Sequence, residues 1–317
     1  MSVLLFMAGA EIALLAVGWP TVDPQARFAH KEIYWKTDPN LRAEPTLHKE
    51  LGVSFPLTTN ADGLRAPLHE AARTPGVFRV MTLGCSTTFG WGVADDESYP
   101  ARLEAILQAK GQQVEVINAG QPGYTSFQGL WLWRELLHRY KPDLVLIGYI
   151  VQDARKAAYS DLSQAILTGE QSFLKQSILW QSRLYLGVKV ATGKVAVRAK
   201  EREAGGDEGE FRVAPPDYLM NLRALRGLIE EVGGRAMHFG YPLEVVGYTE
   251  THRRVLRLEA QSAGIAHFDP SEAIAEAARG RALFFPQDKG HANAEGNGLI
   301  AELVAQHLIE NKLLGSP

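Results

Sequence analysis

The chain has 317 residues, of which 46% are hydrophobic and 22% charged, and its net charge at pH 7 is −3. This length can bury a core for one large domain or two small ones. The balanced charge offers no clustered basic surface of the kind that binds nucleic acid, so no nucleic-acid partner is expected. Cys85 is the single cysteine, which excludes an intrachain disulfide and a cysteine-rich zinc site.

The first predicted element is apolar. Residues 3–19 carry one charge, at Glu11, and Pro20 follows them. As a helix this stretch would be about 25 Å long, somewhat less than the ~30 Å hydrocarbon core of a bilayer. No Lys or Arg precedes it, unlike in a signal peptide. We expect residues 1–20 to form a hydrophobic anchor helix in a membrane, and the alternative is a helix buried in the protein.

The next segment, residues 21–75, is rich in Pro, Asp and Thr and shows no sustained period. It is predicted to be a lead-in segment that packs on the core. The pattern changes from residue 76 onwards, where short apolar runs alternate with amphipathic stretches typical of helices. Strands are predicted at 78–83, 114–120, 144–150, 235–242 and 265–269, and helices at 98–110, 126–140, 218–232, 250–263 and 294–314.

This alternation predicts right-handed βαβ units, and hence a parallel sheet covered on both faces. The predicted fold class is therefore α/β, a flavodoxin-like three-layer α/β/α sandwich with a central parallel sheet of about five strands. Residues 76–317 would form this domain. The regularity breaks at about 154–216, where we expect a lid-like insertion that ends in a charged, Gly-rich stretch.

Polar residues follow three of the predicted strands. In an open parallel sheet, functional side chains collect at the carboxyl ends of the strands. Ser86 follows the first strand, Asn118 to Gln121 form the end of the second strand and the loop after it, and Gln152 and Asp153 follow the third. Asp288 and His291 lie three residues apart before the last helix.

These residue types permit acyl transfer. A serine hydroxyl becomes a nucleophile when a histidine takes its proton, and a carboxylate can orient that histidine. The oxyanion that develops needs donors already in place. The Ser86 and Gly120 backbone N–H groups and the Gln152 side-chain amide are candidate donors. Each residue also has a structural interpretation, since serines cap helices and aspartates occur in turns.

Other chemistry has less support in the sequence. The glycine pattern around Ser86 matches neither a G-x-S-x-G elbow, a G-x-G-x-x-G fingerprint nor a P-loop. No ligand spacing suggests a metal, and no cofactor is expected. Cys85 is a rival nucleophile beside Ser86, but adjacent residues leaving a strand point in different directions. Only one of the two can then face the sheet edge.

The sequence blocks around these residues resemble those of the SGNH/GDSL hydrolase superfamily. The similar blocks begin with Gly84 to Gly90 (GCSTTFG) and continue with Asn118 to Gly120. The last block is Asp288-Lys289-Gly290-His291, with Asn293 and Gly296 following. The resemblance runs from about residue 60 to the C-terminus and covers the insertion least.

The resemblance implies roles for the matching positions. Ser86 would be the nucleophile, His291 the base and Asp288 its orienting acid. The Ser86 and Gly120 amides would belong to the oxyanion hole. The chain departs from the family pattern at Cys85, where Asp is usual, and at Gln152, where an Asn completes the oxyanion hole.

The family includes esterases, carbohydrate deacetylases and O-acetyltransferases. Together with the N-terminal helix, the resemblance implies a membrane-anchored, extracytoplasmic esterase that removes acetyl or other short acyl groups from a carbohydrate or polysaccharide. Two alternatives stay open. One is an O-acetyltransferase that uses the same three residues, and the other is an impaired domain that binds a glycan or protein.

Overall fold

The structure is a computed structural model, and it describes residues 2–17, 35–48, 51–157, 159–163, 165, 182, 184, 209–244, 247–286 and 288–315. The chain divides into two compact units, described separately below. One unit comprises residues 37–155 and 213–317, and the other comprises residues 1–36 and 156–212. Most of the insertion predicted to form a lid lies outside the described residues.

The larger unit holds the sheet. Its strands are β1 (Arg42–His48), β2 (Val53–Thr58), β3 (Phe78–Leu83), β4 (Val114–Asn118), β5 (Leu144–Ile147), β8 (Arg235–Phe239), β9 (Ala266–Phe268), β10 (Phe284–Phe285) and β11 (Asp288–Ala292), where β6 and β7 belong to the smaller unit. Its helices are α2 (Ser86–Phe89), α3 (Tyr99–Ala109), α4 (Ser126–Glu135), α5 (Pro215–Glu231), α6 (Glu250–Ala263), α7 (Ser271–Ala277) and α8 (Ala294–Glu310).

Five strands form one sheet in the order β4-β3-β5-β8-β9, and every neighbouring pair is parallel. Helices α3 and α8 pack together, and α5 packs against α4 and α6. The predicted three-layer α/β/α sandwich is confirmed. The middle strand, β5, is apolar along its whole length, as expected of a parallel strand covered by helices on both faces.

Alternating side chains divide the core between the two faces of the sheet. Val80 of β3, Leu146 of β5 and Met237 of β8 belong to the hydrophobic cluster that α3 and α8 complete. The intervening residues of the same strands are buried as well. Among them is His238, whose imidazole Nδ1 lies 3.0 Å from the Leu256 carbonyl oxygen of α6 on the opposite face.

Several predicted boundaries shift. The second and third strands end at Asn118 and Ile147, two and three residues before their predicted ends. The helix predicted at 126–140 ends at Glu135, and a 3₁₀ turn covers Leu137–Tyr140. The lead-in segment, predicted without regular structure, contains the antiparallel hairpin of β1 and β2.

The smaller unit contains α1 (Ser2–Ala16) and the short antiparallel pair β6 (Lys156–Ala157) and β7 (Glu210–Phe211). In the described part of the chain, no helix is long and apolar enough to cross a membrane. The predicted membrane anchor and the membrane-anchored location are therefore wrong, and the extracytoplasmic location that was inferred from the anchor loses its basis. With 15 residues, α1 is about 22 Å long, shorter than the bilayer core.

The alternative prediction, a buried N-terminal helix, does not describe α1 either. Phe6 and Ile12 are 76% and 67% exposed. Glu11, the charged residue that interrupts the apolar run, is hydrogen-bonded within the same unit. Glu11 accepts hydrogen bonds from the Ser182 hydroxyl and the Leu184 N–H, both at 2.9 Å.

Candidate active site

The candidate nucleophile lies where the first central strand meets a one-turn helix. After β3, Gly84 and Cys85 lead into α2, and Ser86 is its first residue. The amides of a first helical turn have no acceptor within the helix, so the Ser86 N–H faces away from the helix carbonyls. The side chain is buried but reaches the surface, with 7% of the residue exposed.

Ser86 meets His291, 205 residues further along the chain, and Asp288 in one line of hydrogen bonds. The Ser86 Oγ lies 2.8 Å from His291 Nε2. On the other side of the ring, His291 Nδ1 is hydrogen-bonded to Asp288 Oδ2. With Nδ1 carrying the proton, Nε2 is free to accept the serine proton, which is the tautomer that general-base catalysis requires.

A short ladder holds the histidine and the aspartate. They lie on β11, where Asp288 pairs with Phe285 and Ala292 pairs with Phe284 of β10. The next residue, Asn293, caps α8 by accepting the Gly296 N–H at 2.9 Å. The sequence showed a polar stretch before the last helix, and the structure shows a strand there. This strand carries both Asp288 and His291, and it places the carboxylate within hydrogen-bonding distance of the imidazole.

The Asp288 carboxylate is strongly stabilised in its ionised form. Its hydrogen bond to His291 is the main cause that lowers its pKa to about 2, partial burial opposes it, and the Gly290 N–H adds a bond of 2.9 Å. The cation of Arg155 acts in the same direction. The carboxylate is therefore ionised at neutral pH, where it can orient the imidazole and stabilise an imidazolium.

Cys85, the rival nucleophile, lies in the hydrophobic core. It is 1% exposed, and its Sγ lies 3.3 Å from the Thr87 hydroxyl. Burial raises the pKa of the thiol above its usual value. A buried neutral thiol is a poor nucleophile, so the local geometry favours Ser86.

Gly120 lies beside α2, but its N–H already donates a hydrogen bond within the protein. It donates to the Asn118 side-chain oxygen at 3.1 Å. The same side chain donates from Nδ2 to the Phe89 carbonyl of α2 at 3.2 Å. Asn118 thus connects the turn after β4 to α2, a contact that was not predicted from the sequence although Asn118 was named as part of a family block. Its place at the carboxyl end of β4, an edge strand of the sheet, was the available signal.

Gln152 lies in the turn after β5 and is partly exposed. The next residue, Asp153, is fully buried, and its Oδ1 accepts the Ser126 N–H of α4 at 2.9 Å. The hydrogen bond from α4 to the buried Asp153 carboxylate therefore fixes the turn that carries Gln152. Among the described residues, no group of three His, Cys, Asp or Glu side chains is arranged to hold a metal ion.

Residues 82–299 match the GDSL-like lipase/acylhydrolase family. An arylesterase from Vibrio mimicus is 31% identical over 99 residues, which are 31% of this chain and 50% of that protein. The chain therefore matches about half the length of this relative. Since the family match covers more than half of the chain and includes Ser86 and His291, the chain belongs to the GDSL-like lipase/acylhydrolase family.

Solved structures resemble the fold. A lipase/acylhydrolase from Enterococcus faecalis has 15% identity and a TM-score of 0.50, over 76% of this chain and 99% of that one. The acetylxylan esterase Axe2 from Geobacillus stearothermophilus has 17% identity and a TM-score of 0.48, over 73% and 94%. The first similarity supports the α/β sandwich, and neither bears on the substrate.

Proposed function

We propose that the protein is a serine esterase that removes acetyl or other short acyl groups from a carbohydrate. In this proposal Ser86 is the nucleophile, His291 the general base and Asp288 the group that orients it. One observation carries the esterase proposal, namely the unbroken hydrogen-bonded line from the Ser86 hydroxyl through the imidazole to an ionised carboxylate. Membership of an acylhydrolase family supports the same reaction class.

The reaction follows from this line of groups. His291 Nε2 takes the Ser86 proton as Oγ forms a bond to the ester carbonyl carbon. The carbonyl oxygen becomes an oxyanion, and the Ser86 N–H and the Gln152 amide are the proposed donors. Collapse breaks the bond to the alcohol oxygen, which receives the proton from His291. Water then attacks the acyl-serine by the same route and releases the carboxylic acid.

The carbohydrate part of the proposal is supported by a groove whose lining includes Phe285 and Asn293, which lie three residues before Asp288 and two residues after His291 in the chain. It has a volume of about 460 Å³. One part of its lining follows His291 along the chain, another follows α2, and a third belongs to β2. Its lining residues are Val53 to Phe55, Gly92 to Ala94, Glu97, Phe285 and Asn293 to Glu295. Aromatic faces beside carboxylate and amide groups suit a sugar, which presents C–H faces and hydroxyl donors together.

The esterase test uses the full chain with p-nitrophenyl esters of two, four and eight carbons. We expect hydrolysis to be fastest for the acetyl ester, to be lost in Ser86→Ala and to be retained in Cys85→Ala. Equal hydrolysis by the wild type and Ser86→Ala would contradict the proposal. Acetyl transfer to an added sugar in preference to hydrolysis would instead indicate the transferase.

The substrate test uses acetylated xylo-oligosaccharides, with acetate release followed by NMR. Ser54 is an exposed residue of the groove wall, so Ser54→Trp would fill the groove while Ser54→Ala would not. We expect the tryptophan variant to raise KM for the oligosaccharide at least tenfold and to leave p-nitrophenyl acetate hydrolysis unchanged. An unchanged KM, or no acetate release by an enzyme active on p-nitrophenyl acetate, would contradict a carbohydrate substrate at this groove.

A further inference from the structure

Arg65 is a fully buried arginine in the segment that precedes the sheet. Its Nε pairs with Asp95 Oδ1 at 2.9 Å. Its two terminal nitrogens donate to three main-chain carbonyl oxygens, those of Phe89 at 2.7 Å, Val93 at 2.6 Å and Gly90. All three carbonyls belong to the end of α2 and the turn that follows it.

The same turn is bonded to Ser86. The Ser86 carbonyl oxygen accepts the N–H groups of Gly90 and Trp91, each at 3.0 Å. Gly90 has φ +84°, and a Cβ there would lie 2.9 Å from an Arg65 nitrogen and 2.5 Å from the Ser98 Cβ. The guanidinium therefore occupies the space next to Gly90, and two hydrogen bonds connect Arg65 to Ser86, one from the guanidinium to the Gly90 carbonyl and one from the Gly90 N–H to the Ser86 carbonyl.

We propose that Arg65 is a positioning residue for the nucleophile, which fixes the distance from Ser86 Oγ to His291 by clamping the carbonyl groups at the end of α2. This inference rests on the proposed esterase function. A helix of four residues has little stability of its own, so its position depends on such external bonds. A displacement of about 1 Å at a reacting atom can lower a rate 10²-fold.

The contacts require an arginine. Its planar fork presents five N–H donors, which match one carboxylate and three carbonyls, whereas a lysine has three donors on one compact head. The partner carboxylate is held in turn, since Asp95 Oδ2 accepts the Thr58 hydroxyl of β2 at 2.6 Å. The hairpin of the lead-in segment is thereby connected to the site.

Arg79 provides a matched control. It is also buried, at 1% exposure, pairs with Glu115 at 2.7 Å and donates to the carbonyls of Ala71, Ala72 and Tyr140. It lies near the amino end of β3, whereas Ser86 follows the carboxyl end. Replacement of either arginine removes a similar set of bonds, but only Arg65 contacts the nucleophile's turn.

The experiment compares Arg65→Lys and Arg79→Lys in the full chain. The readouts are the rate constant for inactivation by a p-nitrophenyl phosphonate, kcat and KM for p-nitrophenyl acetate, and the melting temperature. We expect Arg65→Lys to lower kcat and the inactivation constant 10- to 100-fold with KM within threefold. Arg79→Lys is expected to lower the melting temperature and to change both rates by less than threefold.

Equal changes of rate in the two variants, or a change below threefold in Arg65→Lys, would overturn the inference. If Arg65→Lys does not fold, Asp95→Asn replaces it, since this variant keeps the arginine but removes its counter-charge. A decrease of at least fivefold in the inactivation constant is then expected, and an unchanged constant would overturn the inference. A wild type that reacts with neither probe would contradict the proposed function itself.

Discussion

Gly120 and Phe89 lie so close together that the turn after β4 packs directly against the main chain of α2. A Cβ added to Gly120 would lie 2.4 Å from the Phe89 nitrogen and 2.8 Å from the Thr88 carbonyl carbon. Both atoms are main-chain atoms of α2, so neither can rotate away. The absence of a side chain at position 120 therefore determines how near α2 lies to the sheet.

We predict that Gly120→Ala displaces α2 and lowers kcat for p-nitrophenyl acetate at least tenfold, because Ser86 moves relative to His291. Gly227→Ala in α5 is the control, since no atom lies within 4 Å of a Cβ at that position. Alanine in an exposed helix interior stabilises by about 0.5–1 kcal/mol relative to glycine. Full activity in Gly120→Ala would contradict the proposed importance of this contact.

Asp288→Asn tests the orienting role of the carboxylate. An amide keeps the size of the side chain but removes the charge that stabilises the imidazolium and selects the tautomer, so we expect kcat to fall about 10²–10⁴-fold. Asp217→Asn, in the first turn of α5, should leave kcat unchanged. A loss of less than threefold in Asp288→Asn would show that the carboxylate does not support His291.

Substitutions of Gln152 test whether its side-chain amide belongs to the oxyanion hole. If its amide donates to the oxyanion, Gln152→Ala should lower kcat about 10²–10³-fold, and KM should change much less. Gln152→Asn should retain more activity than Gln152→Ala, because it keeps the amide. Equal kcat for the wild type and Gln152→Ala would place the donors elsewhere in the site.

His238 makes the folded state sensitive to acid. Burial lowers its pKa to about 4, and its bond to the Leu256 carbonyl opposes this effect only in part. The unfolded chain protonates this histidine below about pH 6.5. Between pH 6.5 and 4 the unfolded state therefore binds more protons, so stability is complete above pH 6.5 and falls as the pH approaches 4.

The loss should amount to about 3 kcal/mol at pH 4. Urea denaturation at pH 7, 5.5 and 4.5 measures it. His238→Gln keeps a hydrogen-bond donor but does not titrate, so its free energy of unfolding should depend less on pH. A wild-type pH dependence in this variant would assign the acid sensitivity to other groups, of which His267 and His307 also have lowered pKa values.

The sequence was sufficient to predict the sheet because its central strands and covering helices have distinct periods. It also singled out Ser86, Asp288 and His291 as candidates from local features, namely a strand end and a polar stretch before the last helix, and the structure brings their side chains into one line of hydrogen bonds. The membrane anchor was predicted wrongly because an apolar composition does not by itself make a helix long enough to cross a membrane. The contacts of Arg65 and Asn118 with α2 were not predicted, because they join residues that lie 24 and 29 positions apart in the chain.

The most direct test of the esterase proposal is the site of covalent modification by a p-nitrophenyl phosphonate. The full chain is treated with the phosphonate, digested and analysed by mass spectrometry, with Ser86→Ala alongside. The proposal predicts one phosphonyl group on the peptide that contains Ser86, release of one equivalent of p-nitrophenol and no labelling of Ser86→Ala. Labelling of another residue, or the absence of labelling in a folded protein, would contradict it.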